Sequence, residues 1–134
     1  SDVYKRQRKM YSGGLESNIK KYQIISRATE PFPGISLSVV EEELPRATAS
    51  QAADEMINAA GIRAAFVVYG ERGGAVVSAR SYGKVNVQVI MEKIGGGGSI
   101  NAAGGQFPDK HPDDAAAMLR QAIEAYLRES PEQG

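Results

Sequence analysis

The stretch from residue 62 to residue 80, IRAAFVVYGERGGAVVSAR, contains the clearest β signal of the sequence and decides the fold. Two apolar runs, residues 62–69 and 75–80, flank a short glycine-rich loop. Runs of this kind joined by such a loop are typical of a β-hairpin. Ser78 and Arg80 are two positions apart on the second run, so the alternation of a strand places both on one face of the sheet.

Segments with helical periodicity lie on both sides of this hairpin. Helices are predicted over residues 15–28, about 50–60, about 86–94 and 112–129, with Thr48 or Ser50, Asn86 and Pro112 as their start signals. Residues 35–40 and the glycine-interrupted residues 100–107 read as further strands. The pattern predicts an α/β fold: a single domain with a mixed β-sheet of about four to five strands and helices packed on it.

The composition limits the class of protein. The chain has 134 residues, 42% of them hydrophobic, which suits one domain with one core. We expect a disordered or truncated lead-in over residues 1–14, the domain over 15–130 and a tail over 131–134.

With no cysteine, disulfides and thiolate chemistry are excluded. Basic and acidic residues balance at 16 each, so the net charge gives no argument for duplex nucleic acid. No membrane span or signal peptide is visible, and a cytoplasmic location is expected.

Residues 95–106, GGGGSINAAGGQ, form the second informative stretch. A glycine run lets a ligand touch the main chain and is often used to cradle a phosphate. A bare glycine run is more often a flexible linker. The apolar-periodic VNVQVIMEKI before the run and the compact INAAGG after it favour the cradle, but both readings stay open at this point.

The sequence offers no complete catalytic apparatus. His111 is the only histidine and reads as a solvated loop residue, while the acidic runs at 41–43 and 113–114 read as a solvated loop and a helix start. No metal-ligand spacing is present, so no catalytic or metal-binding residue and no cofactor is predicted for this chain. Arg80 is the best candidate for contact with an anion, because a guanidinium pairs well with phosphate oxygens.

Five ordered motifs carry a resemblance to a known family. They are SQAAD at 50–54, AAFV at 64–67, SARS at 78–81, VNVQVIMEKIGGGG at 85–98 and NAA at 101–103. Together they resemble the DHH-associated C-terminal domain of DHH phosphoesterases, and most closely the GdpP-type cyclic-di-AMP phosphodiesterases. The resemblance covers about residues 15–129, nearly the whole chain.

The resemblance implies a division of labour between two domains. A DHH domain, upstream in the same polypeptide, would hold two manganese ions and hydrolyse the phosphodiester. The domain seen here would bind the substrate, a cyclic dinucleotide or short oligonucleotide. The residues implied in binding are Ser78, Arg80, Gly96, Gly97, Gly98, Ser99, Asn101, Ala102 and Ala103.

One position departs from the family pattern, which has histidine after the glycine run where this chain has Ser99. A neutral hydroxyl replaces a group that can carry charge, which costs roughly 1.5–3 kcal/mol if the contact matters. Ser99 therefore motivates one alternative, a non-catalytic module for nucleotide sensing or self-association. A second alternative, within the enzyme class, is a RecJ-like or nanoRNA-degrading exonuclease domain. A homodimer, and a parent protein anchored in the membrane with this domain on the cytoplasmic side, also stay open.

Overall fold

A computed structural model of the chain describes residues 2–130, with side chains from residue 14 onward. It contains four helices and six strands within that range. They are α1 (Asp2–Ser26), β1 (Thr29–Phe32), β2 (Ile35–Glu43), α2 (Arg46–Met56), β3 (Ala64–Glu71), β4 (Gly74–Ser81), α3 (Val87–Glu92), β5 (Gly97–Gly98), β6 (Ala102–Phe107) and α4 (Pro112–Glu129).

The strands form one mixed sheet in the order β1-β2-β3-β4-β6-β5. The predicted hairpin is its centre: β3 and β4 pair antiparallel from Ala64↔Ser81 to Glu71↔Gly74. Arg72 and Gly73 have φ of 50° and 81°, the left-handed pair that a two-residue turn between twisted strands requires. The pair β2 and β3 is parallel, because α2 carries the chain back across the sheet between them. The α/β class and the mixed sheet are confirmed.

The sheet has a core on each face. On one face, the alternate residues of the strands pack against α3 and α4 around Phe66, Val77 and Leu119. On the other face, β2 and β3 pack against α1 and α2 around Val67 and Tyr69. The helix α2 is alanine-rich on its buried side, which allows it to lie close to the sheet.

The two strands missed by the prediction are both short and at opposite edges of the sheet. The strand β1 contains Pro31, and proline in a strand is confined to edges because it cannot donate to the ladder. The strand β5 consists of two glycines of the glycine run, which pair with Gly104 and Ala103. A two-residue strand without side chains has no hydrophobic pattern from which it could be predicted.

The helix starts were predicted with mixed success. Asn86 caps α3 by accepting a hydrogen bond from the Val89 N–H at 3.1 Å, as expected. The N-cap of α2 is Pro45, with no side-chain cap, so the expected cap by Thr48 or Ser50 is wrong. The helix α1 begins at Asp2 and so continues through residues assigned to the lead-in, while residues 131–134 lie outside the described residues.

Within residues 2–130, no helix combines the length and the apolar character that crossing a lipid bilayer would need.

Candidate functional site

An open groove lies on the face of the sheet that α2 covers only in part. Because α2 packs over β3 and the near side of β4, the outer part of β4 and β6 stays uncovered on this face. The groove encloses about 340 Å³. Its lining comes from α2, β3, β4, β5 and β6: Arg46, Ser50, Tyr69, Val76, Val77, Ser78, Arg80, Gly97, Ala103, Gly104, Gly105 and Gln106.

Arg80, the candidate from the sequence for contact with an anion, lies at one end of the groove, where it has a protein partner. Its Nε is 3.2 Å from Asp54 Oδ1 of α2, and its Nη1 donates to the Ala79 carbonyl at 2.8 Å. Asp54 is 60% exposed, so this single ion-pair contact is screened by water and contributes little stability. The remaining Nη2 has no hydrogen bond to a described residue. Arg80 can therefore exchange Asp54 for an anion at low cost.

Ser78 lies in the middle of the groove, opposite α2. Its Oγ is 3.3 Å from the Oγ of Ser50, and either hydroxyl can be the donor. Each hydroxyl has one donor hydrogen and two acceptor lone pairs, so the pair keeps hydrogen-bonding capacity that it does not use internally. Ser78, predicted from the sequence, is thus placed in the groove, together with Ser50.

Arg46 forms the other end of the groove and was not predicted. Its Nε and Nη2 donate to the two carboxylate oxygens of Glu71, both at 2.9 Å. In the amide orientation that satisfies both residues, the Gln106 oxygen accepts from Arg46 Nη1 and Nη2 at 3.0 and 2.7 Å. The guanidinium beside Glu71 lowers the pKa of that carboxyl below its ordinary 4.5. The spacing of residues 46, 50 and 54 on one helix face was a signal in the sequence that could have revealed this residue.

The glycines of the run have different reasons to be glycine. A Cβ on Gly96 would lie 2.4 Å from the Gly104 carbonyl oxygen. A Cβ on Gly98 would lie 2.5 Å from the Ala102 carbonyl oxygen, and the φ of Gly98 is 142°. A Cβ on Gly97 would have no atom of the described residues within 4 Å, and Gly97 has no positive φ, yet it lines the groove. The fold therefore requires Gly96 and Gly98, whereas nothing in the domain itself requires Gly97 to be glycine.

Ser99 and Asn101 make bonds within the protein and do not line the groove. The Ser99 N–H and Oγ both donate to the Ala102 carbonyl, at 2.8 and 3.1 Å, and close the turn between β5 and β6. The Asn101 Nδ2 donates to Ser81 Oγ at 3.1 Å. The structure thus gives both residues a role in shaping the loop.

The two predicted alanines lie next to each other on β6. Ala102 pairs with Arg80 and Ala103 with Ala79 across the strands. Ala103 is 7% exposed, packs in the core under α3 and α4, and reaches the groove's lining from that position. The tight packing explains a small side chain at 103 without reference to a ligand.

His111 is exposed, and it has two acidic neighbours, Glu41 and Asp113. Its Nδ1 caps α4 by accepting from the Asp113 N–H at 3.1 Å, and its Nε2 is 3.9 Å from Glu41 Oε1. Ligand atoms of Glu41, His111 and Asp113 lie within 4.8 Å of one another, and all three residues are exposed. Since the acceptor Nδ1 is engaged with the backbone of α4, Nε2 is the ring nitrogen that faces Glu41.

The fold and the motifs agree with a known domain family. The family model described as the DHHA1 domain matches residues 33–129. The chain belongs to the DHHA1 domain family. It is 35% identical over 122 residues to the cyclic-di-AMP phosphodiesterase GdpP of Geobacillus thermodenitrificans, covering 89% of this chain and 18% of the relative. It is 44% identical over 89 residues to the cyclic-di-AMP phosphodiesterase PdeA of Listeria monocytogenes, covering 66% of this chain and 14% of the relative.

These relatives confirm the resemblance to the GdpP type, and this DHHA1 domain spans less than a fifth of their length. The solved structure of an exopolyphosphatase-related protein from Bacteroides fragilis shares the fold, with a TM-score of 0.71 at 18% identity, over 83% of this chain and 35% of that one. That structure shows the fold alone, whereas the family model and the two phosphodiesterase relatives make the chain a phosphoesterase-associated domain.

The groove of this DHHA1 domain suits an anion rather than a metal ion. Its lining contributes two guanidinium groups, three hydroxyls and partly exposed glycine backbone, and among the described residues it includes no carboxylate or imidazole. Divalent manganese is held mainly by carboxylates and is repelled by guanidinium cations, so these residues do not fit it.

Proposed function

We propose that this DHHA1 domain holds the substrate of a phosphodiesterase in the groove between α2 and β6. The substrate would be cyclic-di-AMP or a short oligonucleotide. Hydrolysis would take place at manganese ions on a DHH domain of the same polypeptide. The single observation that carries the proposal is the groove itself, in which Arg80, the Ser50–Ser78 pair and Gly97 converge on one face of the sheet.

Each group has a separate task in this proposal. Arg80 leaves the exposed Asp54 carboxylate and donates Nε and Nη2 to a phosphate, since charge-assisted bonds to a guanidinium are among the strongest in proteins. The hydroxyls of Ser50 and Ser78 orient the same group by hydrogen bonds. Gly97 lets the ligand approach the main chain of β5, because no side chain stands between them.

Calorimetry with cyclic-di-AMP and with its linear product pApA tests the proposal. We expect the domain to bind both and, alone, to hydrolyse neither. Arg80→Ala should weaken binding by about 10–100-fold, which corresponds to the roughly 1.5–3 kcal/mol of charge-assisted hydrogen bonding that is lost. Gly97→Val should weaken binding by filling the groove while leaving the melting temperature unchanged.

A matched control is Arg128→Ala. Arg128 also forms an exposed ion pair, with Glu124 on α4, and it does not line the groove. This variant should bind as the wild type does. If wild type and Arg80→Ala bound cyclic-di-AMP with equal affinity, the groove would not be the binding site.

A second candidate function is a non-catalytic module for nucleotide sensing or self-association, and Ser99 favours it. The Ser99 hydroxyl is used to close its own turn, so position 99 adds no donor to the groove. Ser99→His in the full-length parent distinguishes the two. A large rise in manganese-dependent turnover indicates a weakened phosphodiesterase, whereas unchanged turnover indicates a non-catalytic role.

A further inference from the structure

The end of the groove formed by Arg46 differs chemically from the end formed by Arg80. Across β4 and β6, Arg80 pairs with Ala102 and Val76 pairs with Gln106. These positions are four residue steps apart along the strand, about 14 Å at ~3.4 Å per residue. The two ends can therefore contact different parts of one nucleotide ligand.

Arg46 is held more firmly than Arg80 and is less available to a phosphate. Both oxygens of Glu71 and the Gln106 oxygen accept from its guanidinium, whereas Arg80 has one ion-pair contact, with the exposed Asp54, and one hydrogen bond to a backbone carbonyl. A guanidinium fixed by its edges in this way keeps its flat faces available, and such faces stack on nucleobases. The Gln106 amide nitrogen remains as a hydrogen-bond donor beside it.

Tyr69 supplies an independent observation at this end. It is 1% exposed and lines the groove, and among the residues whose side chains are described its hydroxyl has no hydrogen-bond partner. The hydroxyl lies close enough to Glu71 and Arg46 to be influenced by their charges. Burial and Glu71 raise the pKa of Tyr69, so it keeps its proton and can donate as well as accept. A buried hydroxyl without a partner is costly, and a ligand that bonds it removes that cost.

We infer that Arg46, Tyr69 and Gln106 form a nucleobase subsite that takes a purine, while the Arg80 end takes the phosphate. The purine stacks on the Arg46 guanidinium, its N7 accepts from the Gln106 amide, and its exocyclic group pairs with the Tyr69 hydroxyl. Adenine and guanine both have N7 in this position, and pyrimidines do not. The subsite deepens the proposed function and rests on it.

The test compares AMP with ribose 5-phosphate, which lacks the base, by NMR titration of the domain. Wild type should bind AMP more tightly than ribose 5-phosphate. The gain in affinity over ribose 5-phosphate should be smaller for CMP than for AMP. Tyr69→Phe and Gln106→Met should each reduce this gain about fivefold, the effect of one lost hydrogen bond, and leave ribose 5-phosphate binding unchanged.

The melting temperature separates ligand contact from a structural role. Tyr69→Phe removes a hydroxyl without a partner and should not lower the melting temperature. Tyr126→Phe is the matched control: that buried hydroxyl accepts from the Asn86 N–H at 3.0 Å and is 3.4 Å from the Lys84 carbonyl oxygen. It should lower the melting temperature and leave AMP binding unchanged.

Two results overturn the inference. If AMP binds no more tightly than ribose 5-phosphate, or if the two groove variants keep the full gain, the base subsite is wrong while phosphate binding at Arg80 stands. If wild type binds none of AMP, ribose 5-phosphate and cyclic-di-AMP, the proposed function and the subsite both fail.

Discussion

The two faces of the sheet differ in how completely helices cover them. On the face under α3 and α4, the strands present an unbroken apolar set that includes Phe66, Val77 and Ala103. On the face under α1 and α2, β2 and β4 present serines: Ser38 donates to the Ile24 carbonyl at 2.7 Å, and Ser78 lies beside Ser50. The first face stabilises the domain, and the second leaves a groove with polar groups available.

In this domain, one face of the sheet provides stability and the opposite face provides the groove, so residues with the two roles alternate along the same strand. Alternate residues of β4 belong to different tasks, since Val77 and Ala79 pack in the core while Ser78 and Arg80 line the groove. Substitutions at neighbouring positions should therefore change different measured quantities.

The largest effect is expected in the covered face. Leu119→Ala on α4 removes a fully buried side chain and should lower the free energy of unfolding by about 2–5 kcal/mol. Arg120→Ala, the exposed neighbour, should change it by less than about 0.5 kcal/mol. Urea denaturation measures both. A loss as small at 119 as at 120 would contradict the assignment of this face to stability.

A smaller effect on the free energy of unfolding is expected within the glycine run, where it should differ between neighbouring glycines. Gly98→Ala meets the Ala102 carbonyl at 2.5 Å with φ at 142°, so it should lower the free energy of unfolding by about 1–3 kcal/mol. Gly97→Ala meets nothing and should stay within about 0.5 kcal/mol of wild type. Thermal melts of the two variants make the comparison. If Gly97→Ala destabilised as much as Gly98→Ala, Gly97 would have a structural role after all.

The smallest effect concerns pH. Arg46 lowers the pKa of Glu71 and Arg27 lowers that of Glu42, both from an ordinary value of 4.5. A lowered folded-state pKa adds stability that is present above 4.5 and is lost as pH falls through the folded value. Glu71→Gln and Glu42→Gln should each reduce the loss of melting temperature on acidification.

The same two variants should differ in ligand binding. Glu71→Gln loosens Arg46 and should weaken the preference for AMP over ribose 5-phosphate. Glu42→Gln should leave that preference unchanged, because Glu42 pairs with Arg27 and does not line the groove. If both variants bound alike, the Arg46–Glu71 pair would have no part in the groove.

Much of the fold could be predicted from the sequence because its signals are local. The period of two in residues 62–80 and the helical periodicity of residues 112–129 are local patterns. Asn86 caps α3 through a hydrogen bond to a residue three positions away. The edge strands escaped prediction, since β1 contains Pro31 and β5 has no side chains. The caps expected at Thr48 and Ser50 failed because α2 already begins at Arg46, so both residues lie inside the helix and their hydroxyls contact Ser17 and Ser78 instead.

The glycine run shows where sequence reasoning about the site ended. From the motifs, Arg80 and Ser78 were expected in one site, and the groove contains both. The motifs treated Gly96, Gly97 and Gly98 alike, and only their surroundings separate structural need from space for a ligand. Ser99 and Asn101 were predicted to contact a ligand, and this stays a prediction; their bonds to Ala102 and Ser81 depend on how the loop folds back and could not be read from the motifs.

The sequence by itself determined the α/β class, the central hairpin and the DHHA1 motifs, because these follow from patterns within short stretches of chain. The tertiary structure alone decided that Arg46, Tyr69 and Gln106 meet at one end of the groove. These residues come from α2, β3 and β6, and hydrophobic packing of α2 on the sheet brings them together. No local pattern encodes a distance between side chains that packing sets.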